Sequence, residues 1–157
     1  MSELSITLKW SLGEGEMAQG KYSNSHEISY NDSFKLMADA APYWGEDPAN
    51  TNPEQALAAS VSSCHMMTFL ALAVKAKWPV TSYTDKADAT LGKNPKGQMA
   101  VTNIVLHPVV QFEGDFTVSA QELEEMHDRS HRYCFIANSL SADVGFEVKL
   151  WASSLLP

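Results

Sequence analysis

The stretch TNPEQALAASVSSCHMMTFLALAVK, Thr51 to Lys75, decides the fold. Asn52 is a good N-cap, Pro53 suits the first helical position, and Gln55 can pair back toward Asn52 in the manner of a capping box. Alanine and leucine fill the body. Lys75 and Lys77 stand near the end, where cations complement the helix dipole, just before the breaker Trp78-Pro79. These signals predict one helix of about 25 residues, roughly 37 Å long at 1.5 Å per residue. Between Glu54 and Lys75 it carries no formal charge. Apolar or small residues occur on every side, which predicts burial in a core or against a partner subunit. Ser60, Ser62, Ser63, Cys64, His65 and Thr68 form a polar group inside this helix, and such a group points to chemistry.

Around the helix, the composition is that of one globular domain spanning 1–157. The chain is 45% hydrophobic and 19% charged, and long enough for a real core. A net charge of −8 argues against nucleic acid as a partner. The N-terminal Met1 to Trp10 lacks the apolar run of a signal peptide. The central helix is too rich in small and polar residues for a membrane span and sits mid-chain behind its cap. The expectation is a cytoplasmic protein without a membrane partner. There, two cysteines are redox-active or simply buried rather than a permanent staple.

Outward from the helix the chain reads as β structure on both sides. Ile6–Trp10, Lys21–Tyr30 (with His26) and Phe34–Met37 are expected strands, and the Ala, Pro, Asp and Gly of 38–50 make a loop carrying Tyr43 and Trp44. Beyond Pro79, a strand over Ser82–Leu91 turns at Asn94-Pro95-Lys96-Gly97 and returns along Gln98–Phe112. Ser119-Ala120-Gln121-Glu122 is a capping box opening a second helix from Ala120 to Tyr133, or on through Cys134 into Ala137. Asp143–Ala152 alternates as a last strand. The fold class is α+β: hairpins, a central helix, a hairpin, a second helix and a closing strand.

Cys64 sits about eleven positions into the first helix, beyond the reach of the dipole, so a reactive thiolate there needs a nearby cation or hydrogen-bond donor. Both cysteines can equally be small buried hydrophobes. Glu54, the one carboxylate of that helix, lies roughly 15 Å along the axis from Cys64, too far for contact within one helix. Either a long side chain bridges the gap, the Glu54 of one subunit faces the Cys64 of another, or Glu54 simply favours the dipole. His127, His131 and Cys134 follow i, i+4, i+7 on one helix face, a candidate metal-ligand row with Cys64 as a fourth ligand. Arg129 and Arg132 flank it and are the only arginines.

Together, Thr51-Asn52-Pro53-Glu54-Gln55 with Ala59 and Ser63-Cys64, and His131-Arg132-Tyr133-Cys134 leading to Asn138-Ser139, resemble the OsmC/Ohr family of thiol-dependent organic hydroperoxide peroxidases. Cys64-His65-Met66 and the Cys134–Ser139 segment resemble an OsmC-like branch of it. The resemblance implies an OsmC-like fold, with β-hairpins wrapped around two central helices in an intertwined homodimer and active sites at the subunit interface. It implies catalytic roles for Cys64 as peroxidatic thiolate, Cys134 as resolving thiol and Glu54 as an acid orienting a basic partner. It implies no cofactor and no metal, and an external dithiol as reductant, of lipoyl or other type. Met66, Met67, Phe69, Phe135 and the Tyr43-Trp44 loop are candidates for an apolar substrate wall.

One departure stands out. The family places a thiolate-stabilising arginine in its N-terminal half, and this chain has none before Arg129. His65, His131, His26, Lys21 and Lys35 are candidate substitutes, as are Arg129 and Arg132 reaching in from the second helix, although a lysine lacks the arginine fork and a histidine is only partly charged near neutrality. Three functions follow: organic hydroperoxide reduction in oxidative stress defence, a non-catalytic redox-sensing or small-ligand-binding role, and metal binding through the histidines and cysteines.

Overall fold

The computed structural model describes residues 4–150. Two compact units make up the chain, one reaching to Ala56 and the other beginning at Leu57. The first holds a three-stranded antiparallel sheet of β1 (Thr7–Lys9), β2 (His26–Ser29) and β3 (Lys35–Ala38), with Leu8 opposite Ile28 and Ile28 opposite Leu36. The expected strand over Lys21–Tyr30 shrinks to four residues. The chain before it is taken up by turns, the Lys21 N–H donating to the Ala18 carbonyl at 3.0 Å and Gly20 adopting φ 72°. Asn31 closes the next hairpin, its Oδ1 accepting the Ser33 and Phe34 amides, so β3 starts after Phe34.

The loop after β3 is built on a buried charge. Asp39 is 1% exposed, and its carboxylate accepts the N–H groups of Glu46, Asp47 and Ala40 at 2.8, 3.1 and 2.7 Å. Those three donors hold its carboxyl below the usual carboxylate range. The fit depends on Gly45, where a Cβ would lie 2.4 Å from the Ala40 carbonyl oxygen. Gly45→Ala is therefore expected to cost about 1–3 kcal/mol of stability in urea denaturation, because backbone rather than a flexible side chain must give way.

The predicted central helix is present as α1, Pro53–Ala76. Asn52 Oδ1 caps it by accepting the Gln55 N–H at 2.9 Å. Gln55 does not complete a capping box, because its side chain accepts the Thr51 hydroxyl instead. At the far end Lys77 takes the left-handed conformation (φ 59°), and the Trp78 N–H reaches back to the Ala73 carbonyl, closing the helix as a Schellman motif.

From Leu57 onward α1 belongs to the second unit. Its buried residues, Ala58, Val61, His65, Phe69, Leu72 and Ala73, share one face. The sequence expectation was burial in a core or against a partner subunit; within the single chain one face of α1 is packed, while Met67 is 57% exposed and Val74 76%. The packed side faces two apolar clusters. One joins Phe69, Leu72 and Ala73 to Met126, and the other joins Val61 to Ile104 and Leu106. By length and composition alone α1 would pass for a membrane span; its packed face is that of a core helix.

The hairpin predicted after Pro79 is broken in both arms. The strands are β4 (Val80–Asp85), β5 (Asp88–Lys93), β6 (Met99–Leu106) and β7 (Pro108–Phe112). β4 pairs with β7, while β5 and β6 form a second sheet that β8 (Gly145–Val148) joins parallel to β6. Asp85 pins the break: its Oδ1 accepts the His107 N–H at 2.7 Å, and its other oxygen accepts the Ser62 hydroxyl. The turn at Asn94–Gly97 forms as predicted, with the Gly97 N–H on the Asn94 carbonyl. So does the capping box, with Ser119 and Glu122 exchanging side-chain to backbone bonds at the start of α2 (Ala120–Tyr133). α2 stops at Tyr133. Cys134 is extended (ψ 115°), and a short 3-10 turn follows at Ala137–Ser139. The last strand is shorter than expected, and its predicted end at Ala152 lies outside the described residues.

Candidate active site

Two free thiols meet in the second unit. Cys64 lies mid-way along α1 and is half-buried, whereas Cys134, immediately after α2, is 0% exposed. They come together because the two helices run antiparallel side by side: Cys64 neighbours Cys134, His65 bonds His127, and Leu72 clusters with Met126. The environments of the two sulfurs are opposed. Burial pushes the Cys64 thiol up, but the Ile136 N–H, the Cys134 thiol, the Phe135 N–H and the Thr68 hydroxyl outweigh it and hold Cys64 below the ordinary thiol range. Burial pushes Cys134 up to about 11; the Ala137 N–H donating at 3.4 Å offsets only part of this, and the Cys64 sulfur beside it adds to the rise.

Two of the four donors on Cys64, the Ile136 and Phe135 N–H groups, were not legible as site residues. They are backbone amides, presented because the chain leaves α2 at Cys134 and doubles back. The Asn138 N–H bonds the Cys134 carbonyl at 3.0 Å, and the Asn138 side chain donates to the Arg132 carbonyl at 3.1 Å. The sequence left the second helix ending at Tyr133 or running on into Ala137, so the turn that presents them was not marked.

Cys64 opens into a cavity of about 500 Å³. Met67, Leu72, Tyr133 and Phe135 supply apolar walls, and Lys75 and Arg129 also line it. Of the expected wall residues, Met67 and Phe135 are present. Phe69 is instead wholly buried in the core, and Tyr43 and Trp44 belong to the first unit. Of the two arginines, Arg129 reaches the cavity and Arg132 does not line it.

His65 follows Cys64 in sequence but points into the core, 0% exposed, with its Nε2 2.9 Å from His127 Nδ1. Burial lowers His65 to about 4, the nearby His131 adding to the effect, and lowers His127 to about 3. His65 is thus neutral near pH 7 and supplies no charge to a thiolate. His131 stacks on Phe146 with ring centroids 3.9 Å apart, and burial lowers its pKa too. The i, i+4, i+7 row therefore diverges: His127 turns to His65, His131 to Phe146 and Cys134 to Cys64. Among the described residues no group of three or more His, Cys, Asp or Glu is arranged to hold a metal ion.

The remaining candidates lie in the first unit. Lys21 pairs with Glu16 at 2.9 Å on an exposed loop, and Lys35 with Glu27 at 3.3 Å. His26 Nδ1 lies 2.7 Å from the Asn24 carbonyl oxygen. Glu54 sits in the first turn of α1, its Oε2 buried without a hydrogen-bond partner among the described residues.

The comparisons with known proteins are consistent in fold. An OsmC-like protein of unknown function from Vibrio cholerae is 38% identical, with a TM-score of 0.83 over 96% of this chain and 100% of its own. An organic hydroperoxide resistance protein from Elizabethkingia anophelis superposes with a TM-score of 0.74 at 16% identity, covering 96% of each chain. The organic hydroperoxide resistance protein OhrB of Bacillus subtilis gives 0.66 at 16% identity, over 94% of this chain and 96% of its own. No curated protein matches significantly. Residues 45–149 match the family described as OsmC-like protein, and the chain belongs to that family.

Proposed function

We propose that the protein is a thiol peroxidase that reduces organic hydroperoxides. The observation that carries this reading is the opposed pair of sulfurs: an accessible Cys64 held toward thiolate beside a buried Cys134 held protonated. Family membership supports it, as does sharing a fold with organic hydroperoxide resistance proteins. The Cys64 thiolate attacks the distal oxygen of the hydroperoxide and the O–O bond breaks. The departing alkoxide takes a proton to leave as the alcohol, and Cys64 becomes a sulfenic acid. The Cys134 sulfur then attacks that sulfur, a disulfide forms, and the displaced hydroxide leaves as water with the thiol proton. An external dithiol reduces the disulfide and closes the cycle.

The chemistry needs no flavin, haem or metal. The Ile136 and Phe135 amides take over the thiolate-stabilising task for which the family uses an N-terminal arginine, because oriented N–H groups at a turn are fixed partial positive charges. The exposed stripe of α1 with Met67 and Val74, continued by Tyr133 and Phe135, supports a homodimer in which a second copy covers this face.

The test is stopped-flow oxidation of reduced protein by cumene hydroperoxide and by hydrogen peroxide across pH. The apolar walls are expected to favour cumene hydroperoxide by about tenfold or more, as burial of a small apolar group supplies. The rate is expected to fall as pH drops through the Cys64 value, which lies below that of an ordinary thiol. Equal rates with both peroxides, or a pH profile at the ordinary thiol value, would count against the reading.

A further inference from the structure

One hydroxyl on α1 stands between two acceptors that belong to Cys64. Threonine is a poor helix former, and Thr68 sits inside a body rich in alanine and leucine. The hydroxyls of Ser60 and Ser62 are engaged elsewhere, the first on the Leu57 carbonyl at 2.8 Å and the second on Asp85. Thr68 follows Cys64 by one turn, so the two share a face, and its side chain leans back over the cysteine. Its Oγ1 donates to the Cys64 carbonyl at 2.9 Å and lies within hydrogen-bond reach of the Cys64 sulfur. A hydroxyl has one proton and serves one acceptor at a time. The carbonyl does not depend on it, because in the α-helical ladder that oxygen already accepts the Thr68 N–H.

We propose that Thr68 supplies a movable hydrogen bond to Cys64, its hydroxyl resting on the Cys64 carbonyl while the sulfur is protonated and turning to the sulfur when it becomes a thiolate. The inference deepens the peroxidase reading and rests on it for its place in turnover. A neutral thiol is a weak acceptor and an ionised one a strong acceptor, so the donor follows the charge. Rotation about the Cβ–Oγ1 bond is enough, and it leaves the helix and the rotamer in place. The Phe135 and Ile136 amides, by contrast, are fixed by the turn after α2. Once Cys64 is a sulfenic acid its sulfur is neutral again, the hydroxyl returns to the carbonyl, and the sulfur is released to meet Cys134. The task lies within one turn of α1 and needs no open surface, so a second copy over the outer stripe leaves it intact.

Thr68→Val keeps the shape and removes the hydroxyl, Thr68→Ala does so without a branched side chain, and Thr68→Ser restores it. Cys64 is followed across pH in two reactions of the reduced protein. Alkylation by iodoacetamide, assigned to Cys64 by peptide mass, reads the thiolate without any peroxide; oxidation by cumene hydroperoxide reads the proposed chemistry. Below the Cys64 titration, the thiolate fraction in Thr68→Val is expected to fall about tenfold, as loss of one hydrogen bond to a charged group implies. Each remaining thiolate should be about threefold more reactive, because nucleophilicity rises with the basicity of the thiol. Both reactions are therefore expected to run about threefold slower than wild type at low pH and about threefold faster on the alkaline plateau, with Thr68→Ser close to wild type. A loss of equal size at every pH would mark a merely structural role and overturn the inference. So would a profile that superposes on wild type, or a Thr68→Ser variant that behaves like Thr68→Val. The crossover in alkylation, with wild-type Cys64 inert to cumene hydroperoxide, would uphold the movable hydrogen bond and sink the peroxidase reading instead.

Discussion

Cys64→Ser is expected to abolish hydroperoxide reduction, a loss of at least about a thousandfold to the solution background, because the serine hydroxyl is far less acidic and less nucleophilic than the thiolate it replaces. Cys134→Ser is expected to behave differently. The first attack needs only the Cys64 thiolate, so one equivalent of hydroperoxide should still be consumed, and the mass should rise by one oxygen as sulfenic acid accumulates. Turnover with a dithiol should then collapse or pass through a slower mixed disulfide. The difference follows from the environments: Cys64 is accessible and held down by the Ile136 and Phe135 amides, while Cys134 is buried, stays protonated and waits for a sulfenic partner. Peroxide consumption assays and intact mass on the two variants check both halves. Equal loss of the first turnover in both variants would contradict the assigned order.

The second large effect is loss of stability in mild acid through the His65–His127 pair. Each ring uses one nitrogen in their shared hydrogen bond, and His65 Nδ1 and His127 Nε2 are buried without partners among the described residues. Whichever ring donates, one buried N–H lacks an acceptor. Protonating either ring would bury an uncompensated charge, so folding depresses both values, to about 4 and about 3, from an ordinary 6.5. Between those values the unfolded chain binds more protons than the folded one. Stability is therefore full above about pH 6.5 and is lost as pH falls toward the folded values, by several kcal/mol in total at about 1.4 kcal/mol per unit. Urea denaturation at pH 7 and pH 4.5 should show a steep drop. The double variant His65→Leu/His127→Phe removes both partners and keeps a ring stacked on Phe69, so it should flatten that dependence. An unchanged slope in the double variant would assign the acid sensitivity elsewhere.

Local signals made α1 legible: the Asn52 cap, the Pro53 start, the charge-free body and the stop at Trp78-Pro79 are all written within the helix. The capping box of α2 was equally local. The broken hairpin was not, because Asp85 bends the strands by bonding Ser62 and His107, each more than twenty positions away. The same holds for His65: the shared face of His127 and His131 was visible, but the partner of His127 depends on the register between two helices. The pairing of Cys64 with Cys134 came from family resemblance rather than from spacing. The family arginine is a side chain, whereas two of the groups that lower the Cys64 thiol are the main-chain amides of Ile136 and Phe135, which every residue but proline carries and no sequence pattern marks.

The most direct test is a thiol titration of reduced protein before and after one equivalent of cumene hydroperoxide under anaerobic conditions, with intact mass alongside. Loss of both thiols, a mass lower by two hydrogens and the absence of both changes in Cys64→Ser are the expected results. Two thiols still free after the hydroperoxide would contradict the peroxidatic pair.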